Sequence, residues 1–266
     1  MKIVSLASGS KGNSYFIKAG NTRVLIDCGI SYKQLTERLL DIGETPNEIN
    51  GVVLSHEHSD HVAGLESLFK KHGTKIYSNY LSAGAIIKSK PNLDGHIITF
   101  DNEVFKVGDI LFTPISVSHD SVYCTAFRVD YEGNSVSVMT DLGFIDNSII
   151  EKLAGCKVIY LESNHDERML AECKYPYIIK KRIRSDSGHL SNTQAGNAII
   201  KLYHQGTKFF VLSHISENSN TYEKAYITIA NILLDSGINP DHDLTIRFAH
   251  QHRVGNNFIL GDNKND

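Results

Sequence analysis

Short apolar runs alternate with amphipathic stretches along the chain, and four of the runs end alike. Val52-Val53-Leu54-Ser55 precedes His56, and Ile115-Ser116-Val117-Ser118 precedes His119. Val136-Ser137-Val138-Met139-Thr140 precedes Asp141, and Phe209-Phe210-Val211-Leu212-Ser213 precedes His214. Each run reads as a strand that closes on a hydroxyl residue and is followed by a side chain able to bind metal. In layered α/β folds the ends of neighbouring strands form one rim where functional side chains converge. The four tips are therefore expected to meet around one site.

The rest of the pattern fills in around these strands. Lys2 to Ala7 reads as an opening strand, and Tyr15 to Ile17 and Arg23 to Ile26 as two more. The glycine-rich loop from Ser8 to Ser14 lies before them; it is either a hairpin turn or a nest of N–H groups that holds a phosphate with Lys11. Leu35, Leu39 and Ile42 form a helical stripe within Ser31 to Ile42, and Gly51 to Ser55 is a strand. Ala63 to His72 and Tyr80 to Lys88 are expected as surface helices, with a strand at Lys75 to Ser78 between them. Asp146 to Leu153 reads as a helix and Lys157 to Leu161 as a strand. Ser191-x-x-Gln194 is a capping box that opens a helix with Ala195, Ala198, Ile199 and Leu202 on its apolar face. Tyr222 to Leu234 is a last amphipathic helix, with Tyr222, Ala225, Tyr226, Ile229, Ile232 and Leu233 toward the core. His250, His252 and Arg253 are expected on a solvent-facing strand, and the polar tail from Gly261 to fray.

Composition narrows the class. With 266 residues, 41% of them hydrophobic, the chain can bury a full core, and with no linker or repeat a single domain over 1–266 is expected. A net charge of −3 gives no global attraction to polyanions, so any nucleic-acid binding must rest on a local basic patch. Cys28, Cys124, Cys156 and Cys173 lie far apart with no Cys-x-x-Cys, which argues against a zinc ribbon, a redox pair or a disulfide framework. No signal peptide or membrane-spanning run is visible, so a cytoplasmic location without membrane partners is expected.

The densest chemistry lies in Ser55-His56-Glu57-His58-Ser59-Asp60-His61. Histidine suits zinc, manganese or iron as a neutral nitrogen donor, and aspartate adds a hard oxygen that helps hold a second ion. A His-x-His pair alone carries little weight. With Asp60-His61 at this spacing, a surface loop is a poor explanation and half of a two-metal site a good one.

The motif His56-x-His58-x-Asp60-His61 resembles the signature of the metallo-β-lactamase fold hydrolases, and Asp27-Cys28-Gly29 resembles that superfamily's first motif. The resemblance implies an α/β fold, a four-layer αββα sandwich with a metal site at one edge, and an Asp27 that braces the histidine loop. It also implies ligands for two divalent ions: His56, His58 and His119 for one, Asp60, His61 and His214 for the other, and Asp141 bridging both. A hydroxide shared by the two ions would be the nucleophile.

Glu162-Ser163-Asn164-His165-Asp166, Gly188-His189-Leu190-Ser191-Asn192 and the opening glycine-rich loop look like the YycJ/WalJ group within that superfamily. That group implies 5′ to 3′ exonuclease activity on double-stranded DNA, with His189 as a catalytic donor oriented by Glu162 and with Asp60 at the reacting centre. No long inserted arm like that of tRNase Z and no β-CASP domain is present, which argues against tRNA processing and RNase J-like activity. The stretch from Lys174 to Arg184, with Tyr175, Tyr177, Lys180, Lys181, Arg182 and Arg184, is the most basic in the chain. It suits a phosphate backbone and exposed bases, or it is a charged helical face. Lys11, Asn13, Lys181, Arg182 and Arg184 are the candidate substrate contacts. Two other functions fit the same metals: a hydrolase of a small cyclic phosphodiester, ester or thioester, which salt-dependent DNA binding would exclude, and a non-enzymatic metal-stabilised binding protein, which turnover of a generic phosphodiester would exclude.

Overall fold

The computed structural model describes residues 1–261. Strands β1 (Lys2–Ala7), β2 (Ser14–Ala19), β3 (Thr22–Ile26) and β4 (Gly51–Leu54) are buried along almost their whole length, so both of their faces need cover. With β5 (Lys75–Asn79) and β6 (Ile97–Phe100) they form one sheet. A second sheet is built from β7 (Phe105–Val107), β8 (Ile110–Val117), β9 (Cys124–Tyr131), β10 (Asn134–Met139), β11 (Val158–Glu162), β12 (Phe209–Ser213) and β13 (Thr245–Phe248). The last strand, β14 (Asn257–Ile259), returns to the first sheet. The strand orders are β14-β1-β2-β3-β4-β5-β6 and β13-β12-β11-β10-β9-β8-β7. Each sheet is parallel on one side, from β3 to β6 and from β10 to β13, and antiparallel on the other.

Between the sheets, Ile3, Tyr15, Ile17, Val24 and Val53 meet Phe112, Phe127, Val138, Tyr160 and Val211. Helices cover both outer faces. Leu35 and Leu39 of α1 (Tyr32–Leu40) and Leu65 and Leu68 of α3 (Leu65–His72) pack on the first sheet, which α4 (Tyr80–Ser89) joins through Ile86; α2 (Ser59–Val62) lies in the histidine loop. On the second sheet pack α5 (Asn147–Lys152), α8 (Asn192–His204) and α9 (Tyr222–Asp235); α6 (Glu167–Glu172) and α7 (Tyr177–Ile183) lie between β11 and α8 in sequence. The result is the αββα layering that the histidine motif implied.

Local departures from the sequence pattern have physical causes. The helix expected over Ala63 to His72 starts at Leu65, after Gly64, where a Cβ would lie 2.2 Å from the Ile30 carbonyl oxygen. His250, His252 and Arg253 are not on a strand. Ser8 N–H donates to the His250 carbonyl (3.0 Å) and the Gln251 side chain fills the glycine-rich turn, accepting from Lys11 N–H (2.8 Å) and donating to the Gly12 carbonyl (3.1 Å). Tyr222, expected in the core, is 38% exposed at the start of α9, while Ala230 is buried. The fraying expected beyond Gly261 falls on residues outside those described.

Candidate metal centre

Six strand ends deliver the site. Asp27 follows β3, Ser55 and His56 follow β4, His119 comes after β8, Asp141 after β10, Glu162 ends β11 and His214 follows β12. Three of these residues, Asp27 (φ 61°), Asp141 (φ 62°) and His214 (φ 53°), are in the left-handed region, which side chains other than glycine occupy at a cost of roughly 1–3 kcal/mol each. That is how a strand heading out of the sheet turns its last side chain back over the rim. The histidine loop is held equally tightly. Asn13 N–H donates to the Asp60 carbonyl (2.8 Å), Gly29 N–H to the Asn13 carbonyl (2.8 Å) and Cys28 N–H to the His61 carbonyl (2.9 Å). A Cβ on Gly29 would lie 1.6 Å from the Asp60 oxygen, so only glycine fits.

Hydrogen bonds fix which nitrogen each imidazole presents. His61 Nδ1 donates to Asp27 Oδ2 (2.8 Å), His56 Nδ1 faces Ser55 Oγ (2.9 Å), and Ser55 Oγ itself donates to Asp27. His119 Nδ1 donates to the Gly188 carbonyl (3.2 Å). In all three rings Nε2 is therefore the nitrogen turned toward the centre. His56 Nε2 lies 3.0 Å from His58 Nδ1, and donor atoms of His56, His58 and His119 all lie within 4.8 Å of one another. Donor atoms of His56, His61 and Asp141 form a second such group, and those of Asp141, Glu162, His189 and His214 a third.

Asp141 stands at the middle. Its Oδ2 is 3.3 Å from His61 Nε2, and its Oδ1 is 3.0 Å from His214 Nδ1 and 3.9 Å from His119 Nε2. Asp60 lies at the edge, its Oδ2 3.5 Å from His61 Nε2, and belongs to none of the three groups. Burial opposes charge on His61 and His214, yet the surrounding carboxylates win. Asp27, Asp141 and Asp60 hold His61 well above the usual imidazole range, and Asp141 with Glu162 raises His214 to about 9. His56 and His119 are instead pushed down by burial.

The site thus demands positive charge at its Asp141 side and supplies neutral nitrogens at the other. A divalent cation meets both demands. Asp141 Oδ2 lies 3.3 Å from His61 Nε2 and His214 Nδ1 lies 3.0 Å from Asp141 Oδ1, yet neither completes a hydrogen bond, so buried polar atoms converge there without satisfying one another. This donor set fits divalent metal.

Glu162, fully buried, accepts from the backbone N–H of Leu142 (3.0 Å) and Leu190 (3.3 Å) and from His189 Nδ1 (2.8 Å). His189 keeps Nε2 free, in the loop just before the capped N-terminus of α8. Beside it opens a cavity of about 340 Å³, lined by residues that include Tyr175, Ile179, Arg182, His189 and His214. A larger hollow of about 500 Å³, lined by Tyr177, Lys180, Lys181 and Arg184, lies on the other face of α7. It holds no metal-binding side chain, so the chemistry belongs to the smaller one.

The candidate substrate contacts fare unequally. Asn13 is fully buried, its Nδ2 near Gly9 O (3.1 Å), His61 Nε2 (3.1 Å) and Asp60 Oδ2 (3.4 Å), so it braces the centre and cannot grip a substrate. Lys11 is exposed but paired with Glu217 (2.6 Å), and Arg182 is paired with Asp120, its Nη2 2.9 Å from Oδ1. Lys181 and Arg184 carry their charge into solvent. Asp120 was missed in the sequence, although its place directly after His119 was a signal. So was Ser216 as a cavity wall, which no local pattern marks, whereas Tyr175 lies in the basic stretch already singled out for exposed bases.

The beta-lactamase superfamily domain matches residues 22–215. The exodeoxyribonuclease WalJ of Streptococcus pneumoniae is 32% identical over 244 residues, covering 89% of this chain and 90% of that protein. The exodeoxyribonuclease YycJ of Bacillus anthracis is 33% identical over 239 residues, covering 87% and 89%. The metallo-beta-lactamase fold protein YhfI from Bacillus subtilis superposes with a TM-score of 0.72 at 18% identity, over 97% of this chain and 99% of that one. With its two helix-flanked sheets and the cluster of histidines and aspartates at their shared rim, the chain belongs to the beta-lactamase superfamily and has the metallo-β-lactamase fold.

Proposed function

We propose that this protein is a metal-dependent exodeoxyribonuclease that degrades double-stranded DNA from its 5′ end. The observation that carries the reading is the likeness to two named exodeoxyribonucleases along nearly nine-tenths of the chain. In this reading His56, His58 and His119 would hold one divalent ion and Asp60, His61 and His214 a second, with Asp141 as a further ligand. Zinc or manganese suits the mixed nitrogen and oxygen donors, with iron a third candidate. Bound there, such ions supply Lewis acidity toward a phosphoryl oxygen and lower the pKa of water toward neutrality.

The chain's own residues do the rest. Glu162 Oε1 accepts from His189 Nδ1 at 2.8 Å, which sets the ring's orientation. In its doubly protonated form His189 then donates Nε2–H to the charge that builds on the phosphoryl group, or passes that proton to the leaving oxygen. Asp60, steadied by Asn13, is placed to take a proton from the attacking water. Lys181 and Arg184 grip the strand beyond the cleft, while Arg182 and Lys11 reach a phosphate only by exchanging Asp120 and Glu217 for it.

Digestion of duplex DNA labelled at either end tests this reading, with zinc or manganese added to chelator-treated protein. Label at the 5′ end should appear first, as mononucleotide, and activity should return with metal. Release from the 3′ end, internal cuts alone or no digestion with either metal would overturn it.

A further inference from the structure

We propose that the cavity beside the metal centre is a nucleobase subsite, with Tyr175, Ile179 and Ile183 against the base faces and Asn164 and Ser216 on its polar edge. At about 340 Å³ it lies near the lower end of the roughly 300–1,000 Å³ of small-ligand pockets, which suits one nucleotide unit and not a helix. Its walls have two characters. One side sets apolar surface beside the Arg182 guanidinium: Tyr175 lies in the loop before α7, and Ile179 and Ile183 lie on α7 itself. Asn218 Nδ2 donates to the Tyr175 hydroxyl (2.7 Å), which anchors the ring without using its faces.

The other side is polar and incompletely used. One Asn164 Nδ2 hydrogen goes to the His214 carbonyl (3.0 Å), which leaves Oδ1 as an acceptor. Ser216 Oγ accepts from Ser219 Oγ (3.0 Å) and from the N–H groups of Ser219 (3.2 Å) and Asn218 (3.3 Å), so its own O–H remains to be given. A flat group with apolar faces and an edge of mixed donors and acceptors is what these walls complement, and a nucleobase is such a group. His189 and His214 line the same cavity, so in the nuclease reading the base would sit beside the reacting phosphate. Only that last placement rests on the nuclease reading.

Titration calorimetry on the metal-loaded protein separates base from phosphate by comparing thymidine 5′-monophosphate with 2-deoxyribose 5-phosphate. One stacked base should make the nucleotide bind about 5- to 150-fold more tightly than the sugar phosphate. Tyr175→Ala should abolish that preference and leave the sugar phosphate's affinity unchanged, while Tyr175→Phe, which keeps the ring, should retain it. Equal binding of both ligands by the unaltered protein would overturn the subsite. So would a preference that survives Tyr175→Ala, or a loss in that variant shared equally by both ligands. A protein that prefers the nucleotide yet leaves end-labelled duplex intact would keep the subsite and lose the nuclease reading; digestion of duplex without the preference would do the reverse.

Discussion

The floor of the cleft and the wall formed by α7 are built in opposite ways. On the floor His56, His61, Asp141, Glu162 and His214 are each at most 2% exposed; the Nδ1 atoms of His56 and His61 and the carboxylate of Glu162 are held by chosen neighbours, while Asp141 Oδ2 and His214 Nδ1 are left open. On the wall α7 is seven residues long, has no side-chain cap, and carries Lys181 and, at its C-cap, Arg184 in solvent, with Arg182 exposed but paired to Asp120. Hydrolysis needs donors fixed before the substrate arrives, and that takes buried polar groups and strained backbone. Holding a polyanion needs only positive charge that stays hydrated until it meets a phosphate. The floor should therefore answer to single-atom changes and the wall to changes in net charge.

The sharpest way to break this contrast is at Asp141, which faces His61, His119 and His214 together. Asp141→Ala should lower metal content at both positions and reduce turnover by about 10³-fold or more, as expected when a cooperating unit loses a member. Two full metal equivalents by plasma emission would remove Asp141 from the middle of the centre. A smaller effect is expected at His189, which adjoins the centre beside Asp141 and His214 and is oriented by Glu162. His189→Ala should retain its metal and its thermal midpoint and still bind duplex DNA, while kcat falls about 10²–10³-fold, the effect of one oxyanion-type donor. Loss of one metal equivalent would instead make His189 a ligand.

The smallest effect belongs to the wall. Lys181→Ala with Arg184→Ala should raise KM for duplex DNA and lower the slope of log K against log salt by about 2, one for each charge removed, with no change on a bis-aryl phosphodiester. Arg182→Ala should move KM less than that pair does, because its charge is already matched by Asp120. Equal losses on DNA and on the small substrate would mean that α7 supports the floor.

The floor was also the more legible region. His56 to His61 lie within six positions, so their chemistry is visible without a fold, and the strand ends announce His119, Asp141 and His214 through a repeated apolar run. Many of the strands follow from the same runs, but the pattern does not mark β6, β7, β9, β13 and β14, and the division of the strands into two helix-covered sheets comes from the resemblance of the histidine motif. What could not be read depends on side-chain direction. Asn13 turns inward because Gly9 (φ 145°) and Gly12 (φ 149°) set the course of its loop, and no hydropathy pattern encodes that. The pairing of Arg182 with Asp120 joins residues 62 positions apart. Tyr175 and Ser216 meet around one cavity only because β11 and β12 are neighbours in the second sheet.

If the protein is the nuclease proposed, the Asp120–Arg182 pair would tie the grip on DNA to the reactivity of the centre. Asp120 Oδ1 is 3.4 Å from His119 Nε2, and Arg182 now offsets its charge. A phosphate that draws Arg182 away uncovers that carboxylate beside a ring meant to give electrons to a cation. Arrival of the strand would then act as an electrical signal, making the neighbouring position more electron-rich at the moment the scissile bond is in place.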